Sequence, residues 1–438
     1  MRKQVTIMKQ IDYLSYGILY GCAYLGARQG YHTLSALFLI VAAFLLYILQ
    51  VGRTKNLVDL RGIFALSWIG GEGIACFQLS HLQHDWADRT WLAFFLVYLC
   101  FQIGYDFRLF QFTEETREIE HDEKQAKRLL LCIGIIMGVS IACFLCEALL
   151  VGFIPLFDSA PHAYSHFHVS GVHYFTISCV LIPALTVLYT KVSLLVPKKV
   201  IVFLVFANIT AAAIPILCVS RFQLLFAVGF AVVTYLMLYH KITWKMIVGL
   251  FLIMIPMYVL LTVARRHDVS YLNGIFEMKN VNTPIFITQP YMYIANNYEN
   301  FNCMVEQLTE HSKGLKMLFP VFALSGLKFV FPELLSFPLY ITKEELTTLT
   351  MFYDAYYDFG VIGIIVFSLL VGILAAQIRR WTLQNKNPIT YLFYGQMAIY
   401  LGLSFFTTWF SNPTTWFWFV LTGLMYIGIE YKGKRKKS

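Results

Sequence analysis

The sequence predicts an all-α, polytopic membrane protein of about twelve transmembrane helices, with one large loop between the ninth and tenth. Three observations predict this fold class. Hydrophobic residues make up 58% of the 438 residues and charged residues 13%, whereas soluble domains carry about 25% charged residues. Long apolar runs recur along the chain, and a span needs about 20 mostly apolar residues. Lys and Arg lie in short clusters between the runs, as they do in cytoplasmic loops.

The apolar runs give the predicted spans in order. They cover residues 10–27, 32–51, 62–80, 91–107, 129–150, 173–190, 200–218, 222–240, 245–264, 353–377, 389–409 and 414–431. One integral membrane domain then has three parts: nine spans in 1–264, the loop in 265–350, and three spans in 351–438. Prolines interrupt the apolar stretch of the loop, which predicts helices that lie in the membrane interface.

The basic residues give the orientation. With the N-terminus in the cytoplasm, the inside segments hold 24 Lys and Arg residues, and the short outside connections hold three. Because cytoplasmic loops are enriched in positive charge, both termini are predicted to be cytoplasmic and the loop 265–350 extracytoplasmic. The net charge of +9 therefore reports orientation, and no nucleic-acid partner is predicted. The first apolar run lacks a small-residue cleavage site, so no signal peptide is predicted.

Metal binding is not predicted from the cysteines or histidines. The nine cysteines lie mostly inside apolar runs, without the spacing of metal ligands. Histidines recur between the fifth and sixth spans, at His162, His166, His168 and His173. Their spacing is loose, and Asp158 is the carboxylate beside them, so this stretch is predicted to be a polar outer loop or a surface that contacts saccharide.

Three arginines on the outer side predict an anion site. Arg221 begins the eighth span, and Arg265 and Arg266 end the ninth. The orientation rule disfavours positive residues on the outer side. Their presence there therefore favours a functional role. The guanidinium group recognises phosphate oxygens through planar, bidentate hydrogen bonds, so a pyrophosphate is the predicted ligand. The alternative is that Arg221 extends its charge to the membrane interface.

The long loop is rich in Tyr and Asn. Aromatic rings stack on the apolar faces of sugars and amides match their hydroxyls, so Asn296, Asn297 and Asn300 are predicted to bind saccharide. The alternative is that tyrosines simply lie at the membrane interface. Glu299 and His311, also in the loop, are candidates for a general base.

A motif at residues 347–363 begins the tenth span. Asp354 and Asp358 lie four residues apart, on one face of a helix. Because like charges repel there, an arginine or a bound polar substrate is expected to compensate them. The alternative is stabilisation by the helix dipole. Asp354 and Asp358 are two further candidates for the general base. The motif also contains four predicted substrate contacts, Thr348, Thr350, Tyr353 and Tyr357.

The chain resembles the oligosaccharide repeat-unit polymerases, the Wzy-type O-antigen and capsule polymerases. The resemblance rests on residues 347–363, on 152–157, on Ser220-Arg221, and on 293–301 followed by 313–315. It also rests on the number of spans and the place of the loop, so it covers nearly the whole chain. It implies a metal-independent membrane glycosyltransferase with a GT-C-like fold, without a cofactor or a nucleotide-sugar donor.

The implied reaction polymerises undecaprenyl-diphosphate-linked repeat units into O-antigen or capsule at the outer face of a bacterial cytoplasmic membrane. Membrane lipid, a chain-length regulator and a flippase are implied as partners. Arg221, Arg265 and Arg266 then bind the diphosphate. The base is sought in the order Asp354, Asp358, Glu299, His311; ligase-type relatives place an important histidine in the long loop. The alternatives are an O-antigen ligase, a repeat-unit flippase or transporter, and a membrane acyltransferase, for which His240 is the nearest histidine.

Overall fold

The computed structural model describes residues 2–109, 119–158, 163–244, 248–249, 252, 269–335 and 337–430. Regular structure in these ranges is helical, apart from an isolated antiparallel bridge between Ser80 and Met278. The α-helices, numbered in chain order, are α1 Arg2–Arg28, α2 His32–Thr54, α3 Leu60–Ala75, α4 Asp88–Leu109, α5 Glu123–Val151, α6 Ala163–His166, α7 Val172–Thr176, α8 Ile182–Val192, α9 Lys198–Leu217, α10 Arg221–Tyr239, α11 Val269–Phe276, α12 Ile285–Gln307, α13 Phe319–Ser325, α14 Leu327–Val330, α15 Tyr353–Gln384, α16 Ile389–Gly402 and α17 Pro413–Glu430. Short 3-10 helices cover Ile177–Leu181, Pro332–Leu335 and Trp409–Ser411.

Seven helical segments of the described chain are long and apolar enough to cross a membrane. They are His32–Thr54, Asp88–Phe107, Glu123–Val151, Val172–Val192, Lys198–Leu217, Arg221–Tyr239 and Tyr353–Gln384. The predicted fold class is confirmed at this level: the described part is helical and has the segments of a polytopic membrane protein. Most of the predicted ninth span, 245–264, lies outside the described residues.

Two predicted spans are shorter helices in the structure. α3 ends at Ala75, and Gln78 adopts a left-handed backbone with φ 48°, whereas the predicted span continued to residue 80. α16 ends at Gly402, seven residues before the predicted end. At 1.5 Å per residue, their 16 and 14 residues reach about 24 Å and about 21 Å, less than the hydrocarbon thickness of about 30 Å.

The chain forms two compact units. The first consists of Met1–Phe112, Asp268–Gln377 and Tyr400–Thr415; the second consists of Thr113–His267, Ile378–Ile399 and Trp416–Ser438. Most of the predicted outer loop, within Asp268–Gln377, belongs to the first unit. It shares this unit with α1–α4, and its longest helix, α12, is buried along much of its length.

An aromatic core holds the first unit together. Trp68 of α3 packs edge-on to Phe94 of α4 and to Phe352, and also contacts the ring of Tyr298 on α12. These side chains are fully buried, and aromatic pairs in such geometries contribute about 0.5–1.5 kcal/mol beyond their buried area. The start of α15 is thereby fixed against α3, α4 and α12.

Small residues bring other helices of this unit close together. Gly104 of α4 packs on α15 so tightly that an added Cβ would collide with the backbone of Leu369. Small residues at helix interfaces allow this approach in membrane proteins, where van der Waals contact drives packing.

The core of the second unit lies between α8, α10 and the start of α17. Leu185, Leu188 and Phe230 are fully buried, and the Phe230 ring packs edge-on to Trp418 with ring centres 5.9 Å apart. Leu156 donates its N–H to the Leu217 carbonyl at 3.0 Å. The segment after α5 is thereby held against the turn between α9 and α10.

Candidate functional site

The two predicted carboxylates begin α15, and the structure places a lysine beside the first. Nζ of Lys316 lies 3.3 Å from Oδ1 of Asp354, and their side chains are 11% and 8% exposed. The ammonium also lies 4.2 Å from the ring centre of Tyr357 and 5.3 Å from that of Tyr353, within the range of cation–π attraction. A loop lysine thus balances the charge for which the sequence predicted an arginine or a substrate.

Asp358, the second carboxylate, is bound by the turn that precedes α13. It accepts hydrogen bonds from the Ser312 hydroxyl, from the Lys316 N–H at 3.2 Å and from the Met317 N–H at 2.9 Å. The residue is fully buried. A general base must reach the proton that it accepts, and so this geometry suits Asp358 to anchoring residues 312–317 more than to proton transfer.

His311 belongs to the same turn and is exposed. Its Nδ1 lies 3.1 Å from the Tyr357 carbonyl oxygen. Because a carbonyl can only accept a hydrogen bond, Nδ1 carries the proton, and Nε2 of the neutral ring keeps a lone pair. A lone pair at Nε2 allows this ring to accept a proton, as a histidine general base does.

Gly360 makes room for this histidine. Its backbone has φ 59° and ψ −141° and interrupts the helical geometry of α15, a conformation that residues with a Cβ rarely adopt. An added Cβ would also lie 3.2 Å from Cε1 and Nε2 of His311. The motif glycine therefore fixes both the kink and the place of the imidazole ring.

The predicted tyrosine contacts enclose Lys316. The Tyr353 hydroxyl donates to the Tyr340 carbonyl at 3.1 Å and accepts from the Tyr340 N–H at 3.0 Å. The Tyr340 ring in turn lies 6.0 Å from the ring of Tyr357. Both predicted tyrosines are buried, so they form the walls of the Lys316–Asp354 pair.

The loop asparagines form a network that joins α12 to residues 342–348. Nδ2 of Asn300 donates to the carbonyls of Leu346 and Thr348, and its Oδ1 accepts from the Thr342 N–H at 2.9 Å. Thr348 Oγ1 donates to Asn297 Oδ1 at 2.5 Å. Because these amides are buried and paired, they position the loop, and their contact with a sugar stays a prediction.

Two polar atoms of the predicted contacts have no partner in the described chain. Asn296 accepts from the Thr342 hydroxyl at 2.8 Å, but its Nδ2 lacks an acceptor among the described residues, as does Thr350 Oγ1. Both residues are fully buried. Buried polar atoms are normally paired. A water molecule or a substrate hydroxyl could therefore supply the missing partner of each of these two atoms.

Glu299 of α12 contacts a different set of residues. Its Oε2 accepts from Trp86 Nε1 at 3.2 Å, and its Oε1 lies 3.7 Å from His84 Nδ1. The carboxyl is 1% exposed, and burial raises its pKa to about 8, against the lowering effect of the Trp86 hydrogen bond. Desolvation disfavours the charged form, so Glu299 is largely protonated at neutral pH.

The second unit holds the other predicted elements. Arg221 begins α10, and the preceding Val219 packs with Leu224, Leu156 and Tyr164. Leu156 of the segment 152–157 and Val219, next to the Ser220-Arg221 pair, therefore belong to one cluster. Arg265 and Arg266 lie outside the described residues.

The histidine-rich stretch is tied to α5. His173 Nδ1 lies 3.1 Å from Oε1 of Glu147, which also accepts from the Val169 N–H at 3.0 Å. The described residues contain no group of three or more His, Cys, Asp or Glu side chains that fits a metal. His162 lies outside the described residues.

An open apolar groove of about 820 Å³ lies in the second unit. Its walls are formed by α8, α9, the connection between them and one residue of α10: Pro183, Thr186, Val187, Thr190, Val196, Ile201, Leu204, Val205, Asn208, Ile209, Ala212 and Ala231. One hydrogen bond, from Asn208 Nδ2 to Thr186 Oγ1 at 2.9 Å, joins its two sides. Ala212 also packs against the Val219–Leu224 cluster, so the groove reaches the turn that carries Arg221.

Sequence reasoning missed several buried charges in the first unit. Asp12 pairs with Arg53, and Arg61 NH1 lies 3.0 Å from Asp106 Oδ1. Glu72 of α3 is completely buried. Each acidic residue stands in an otherwise apolar run, and the energetic cost of inserting it, about 2.5–3.5 kcal/mol, was a signal that it has a role.

Comparison of the chain with protein-family models, with curated proteins and with solved structures finds no match. The resemblance to repeat-unit polymerases therefore rests on the sequence segments alone.

Proposed function

We propose that this chain is a metal-independent membrane glycosyltransferase that polymerises undecaprenyl-diphosphate-linked oligosaccharide repeat units into O-antigen or capsule. In this proposal it has about twelve spans in a GT-C-like arrangement. It lies in a bacterial cytoplasmic membrane with both termini in the cytoplasm, and the reaction takes place on the outer side.

The observation that carries the proposal is the place of His311. The loop between the ninth and tenth predicted spans folds onto the start of α15 through Asp358, and it holds an exposed imidazole there with its Nδ1 on the Tyr357 carbonyl. Among the four candidate bases, Asp358, Glu299 and Asp354 are at most 5% exposed. His311 is therefore our first choice for the base, ahead of the order that the sequence suggested.

Each group then has a chemical task. Nε2 of His311 accepts the proton of the acceptor hydroxyl, whose oxygen forms a bond to the anomeric carbon of the donor sugar. The bond between that carbon and the diphosphate oxygen breaks, and undecaprenyl diphosphate leaves with the electron pair. We assign Arg221, Arg265 and Arg266 to the departing diphosphate, because fixed cations stabilise the charge that develops on it.

The groove between α8 and α9 supports a lipid-linked donor. Its lining is almost wholly apolar, and it reaches the turn that precedes Arg221. An isoprenoid chain seated in this groove has its diphosphate end near a guanidinium.

The test is the size distribution of surface polysaccharide in a strain deleted for this gene and complemented with the wild-type chain. We expect the deletion to leave single repeat units on their acceptor and complementation to restore long chains. Accumulation of repeat units on lipid inside the cell would instead identify a flippase. Long chains that remain on undecaprenyl diphosphate, with none on the acceptor, would identify a ligase.

A further inference from the structure

A second groove of the second unit lies between α5 and α9, and we call it the α5–α9 groove. Its lining consists of Lys127, Leu130, Leu131, Gly134, Ile135 and Phe203. The open space measures about 490 Å³. Gly134 has no side chain to fill it, and a Cβ at that position would lie 3.6 Å from the Phe203 ring. Apart from Lys127 the lining is apolar, so the groove suits a hydrocarbon chain.

The starts of the two helices lie at the same end of this groove. The Asp122 N–H, just before α5, donates to the Val192 carbonyl at 3.1 Å. The Leu194 N–H, four residues before α9, donates to Glu123 Oε1 at 3.1 Å. The connection that leads into α9 is thereby tied to the first turn of α5.

Each helix carries a lysine at this end, on the side that forms the groove. Lys127 precedes Leu131 and Lys199 precedes Phe203, each by four residues. Residues four apart share a helix face, and four residues span about 6 Å along the axis. Both ammonium groups therefore lie at the end of the groove where the two helices begin.

This end of the second unit is strongly basic. Residues 122–128 and 191–199 contain six Lys and Arg residues against two acidic residues, a net charge of +4. The two acids already have partners: Asp122 accepts from the Lys124 N–H at 2.8 Å, and Glu123 accepts from the Leu194 N–H. Lys127 and Lys199 are exposed, and neither forms an ion pair with another described residue.

The N-terminal end of α9 adds backbone donors. Pro197 precedes the helix and gives it no side-chain cap. The N–H groups of Val200 and Ile201 donate to the Pro197 carbonyl, whereas those of Lys198 and Lys199 have no acceptor among the described residues. Free N–H groups at a helix N-terminus bind phosphate well, so the backbone and the lysines favour the same class of ligand.

The orientation rule alone explains lysines at the cytoplasmic end of a span, but it requires no groove beneath them. Basic pockets between membrane helices bind the headgroups of anionic lipids. We propose that the α5–α9 groove binds an anionic phospholipid. One acyl chain lies along Leu131 and Phe203, and the phosphate lies between Lys127, Lys199 and the N-terminal end of α9. This binding is independent of the proposed reaction.

The experiment is native mass spectrometry of the purified full-length protein in detergent micelles, titrated with phosphatidylglycerol or with phosphatidylethanolamine of the same acyl chains. A lysine near an anionic lipid strengthens binding by about 1 kcal/mol, or about fivefold. We therefore expect the first phosphatidylglycerol to bind at least about tenfold more tightly than the first phosphatidylethanolamine. Lys127→Gln/Lys199→Gln should reduce this preference to about twofold.

Two further variants separate charge from shape. Lys279→Gln/Lys313→Gln removes two exposed lysines of the first unit, and this matched control should keep the wild-type preference. Gly134→Leu fills part of the groove without a change of charge. It should weaken phosphatidylglycerol binding at least about fourfold, the contribution of one buried CH₂ group.

Equal binding of the two lipids would overturn the proposal, as would a preference that Lys127→Gln/Lys199→Gln leaves unchanged. Displacement of phosphatidylglycerol by excess glycerol 3-phosphate would identify a site for free phosphate in place of a lipid site. A wild-type dimer that the double variant converts to monomers would assign this face to a second copy of the chain. None of these outcomes bears on the proposed reaction, which polysaccharide length tests separately.

Discussion

Lys316 and Asp354 form a buried ion pair between the long loop and the first turn of α15, with Nζ 3.3 Å from Oδ1. Nζ also lies 5.3 Å from the ring centre of Tyr353 and 4.2 Å from that of Tyr357. The adjacent carboxylate, Asp358, receives three hydrogen bonds from the same stretch of loop. Carboxylates four residues apart are thus compatible in one helix because the loop supplies donors to both.

The first prediction concerns this ion pair. Lys316→Met leaves Asp354 buried without its cation, and removal of one partner of a buried pair costs about 3–5 kcal/mol. We expect a clearly lower unfolding temperature for the purified protein in a thermal-shift measurement. The double variant Lys316→Met/Asp354→Leu should recover most of that loss, because no unpaired charge remains.

Lys313→Met is the matched control, since Lys313 lies three residues earlier and is exposed. Its unfolding temperature should equal that of the wild type. If Lys316→Met melts like Lys313→Met, the ion pair contributes nothing to stability.

The second prediction concerns His311. Because its ring is exposed, His311→Ala should leave the unfolding temperature and the membrane level nearly unchanged. Loss of a general base slows a reaction about 10²–10⁴-fold, so long surface polysaccharide should disappear from a deletion strain that carries this variant. Normal chain length in that strain would remove His311 from the mechanism and return Asp354 to first place.

The third prediction concerns the kink in α15. Gly360→Ala places a Cβ in a left-handed backbone conformation, at φ 59°, and 3.2 Å from the His311 ring. Backbone strain of this kind costs about 1–3 kcal/mol, and the imidazole must also move. We expect a lower unfolding temperature together with loss of long polysaccharide.

Gly138→Ala controls for the substitution itself, because a Cβ at this helical glycine of α5 meets no atom within 4 Å. Helix propensity favours alanine there, so this variant should be at least as stable as the wild type. Polysaccharide of normal length in Gly360→Ala would show that the imidazole position does not matter.

The fourth prediction concerns Arg221. Arg221→Ala should abolish long polysaccharide while the protein remains in the membrane. Arg221→Lys should restore part of it, since lysine keeps the charge but loses the bidentate geometry. Full activity of Arg221→Ala, measured by polysaccharide length at equal membrane level, would exclude this arginine from diphosphate binding.

The sequence predicted the helical membrane fold well because that information is local. Apolar runs and their interruptions place most helix ends to within a few residues, as in α2, α9 and α10. It failed at α3 and α16, where apolar residues continue past the helix end. Hydropathy does not register backbone changes such as the left-handed Gln78.

Partners of the site residues were harder to predict because they are distant in sequence. The motif showed that Asp354 and Asp358 need compensation, but Lys316 and Ser312 lie about 40 residues away and have no pattern of their own. The same holds for Asn300. An asparagine in this loop suggested sugar binding, but its four hydrogen-bond contacts are with loop residues. Side-chain chemistry limits what a residue can do, and tertiary contacts determine which of those roles it has.

The final prediction concerns Glu299 and pH. Burial raises its pKa to about 8 in the folded protein, whereas an unfolded glutamate titrates near about 4.3. Between these values the folded state holds a proton that the unfolded state has lost, so stability falls as pH rises, by up to about 1.4 kcal/mol per pH unit. The stabilisation is complete below about pH 4 and is lost as pH rises through about 8.

Glu299→Gln keeps an acceptor for the Trp86 N–H without titrating, and so its unfolding temperature should vary less than that of the wild type between pH 5 and pH 9. Glu333→Gln should reproduce the wild-type dependence, and parallel pH profiles for all three proteins would show that Glu299 is not protonated in the folded state.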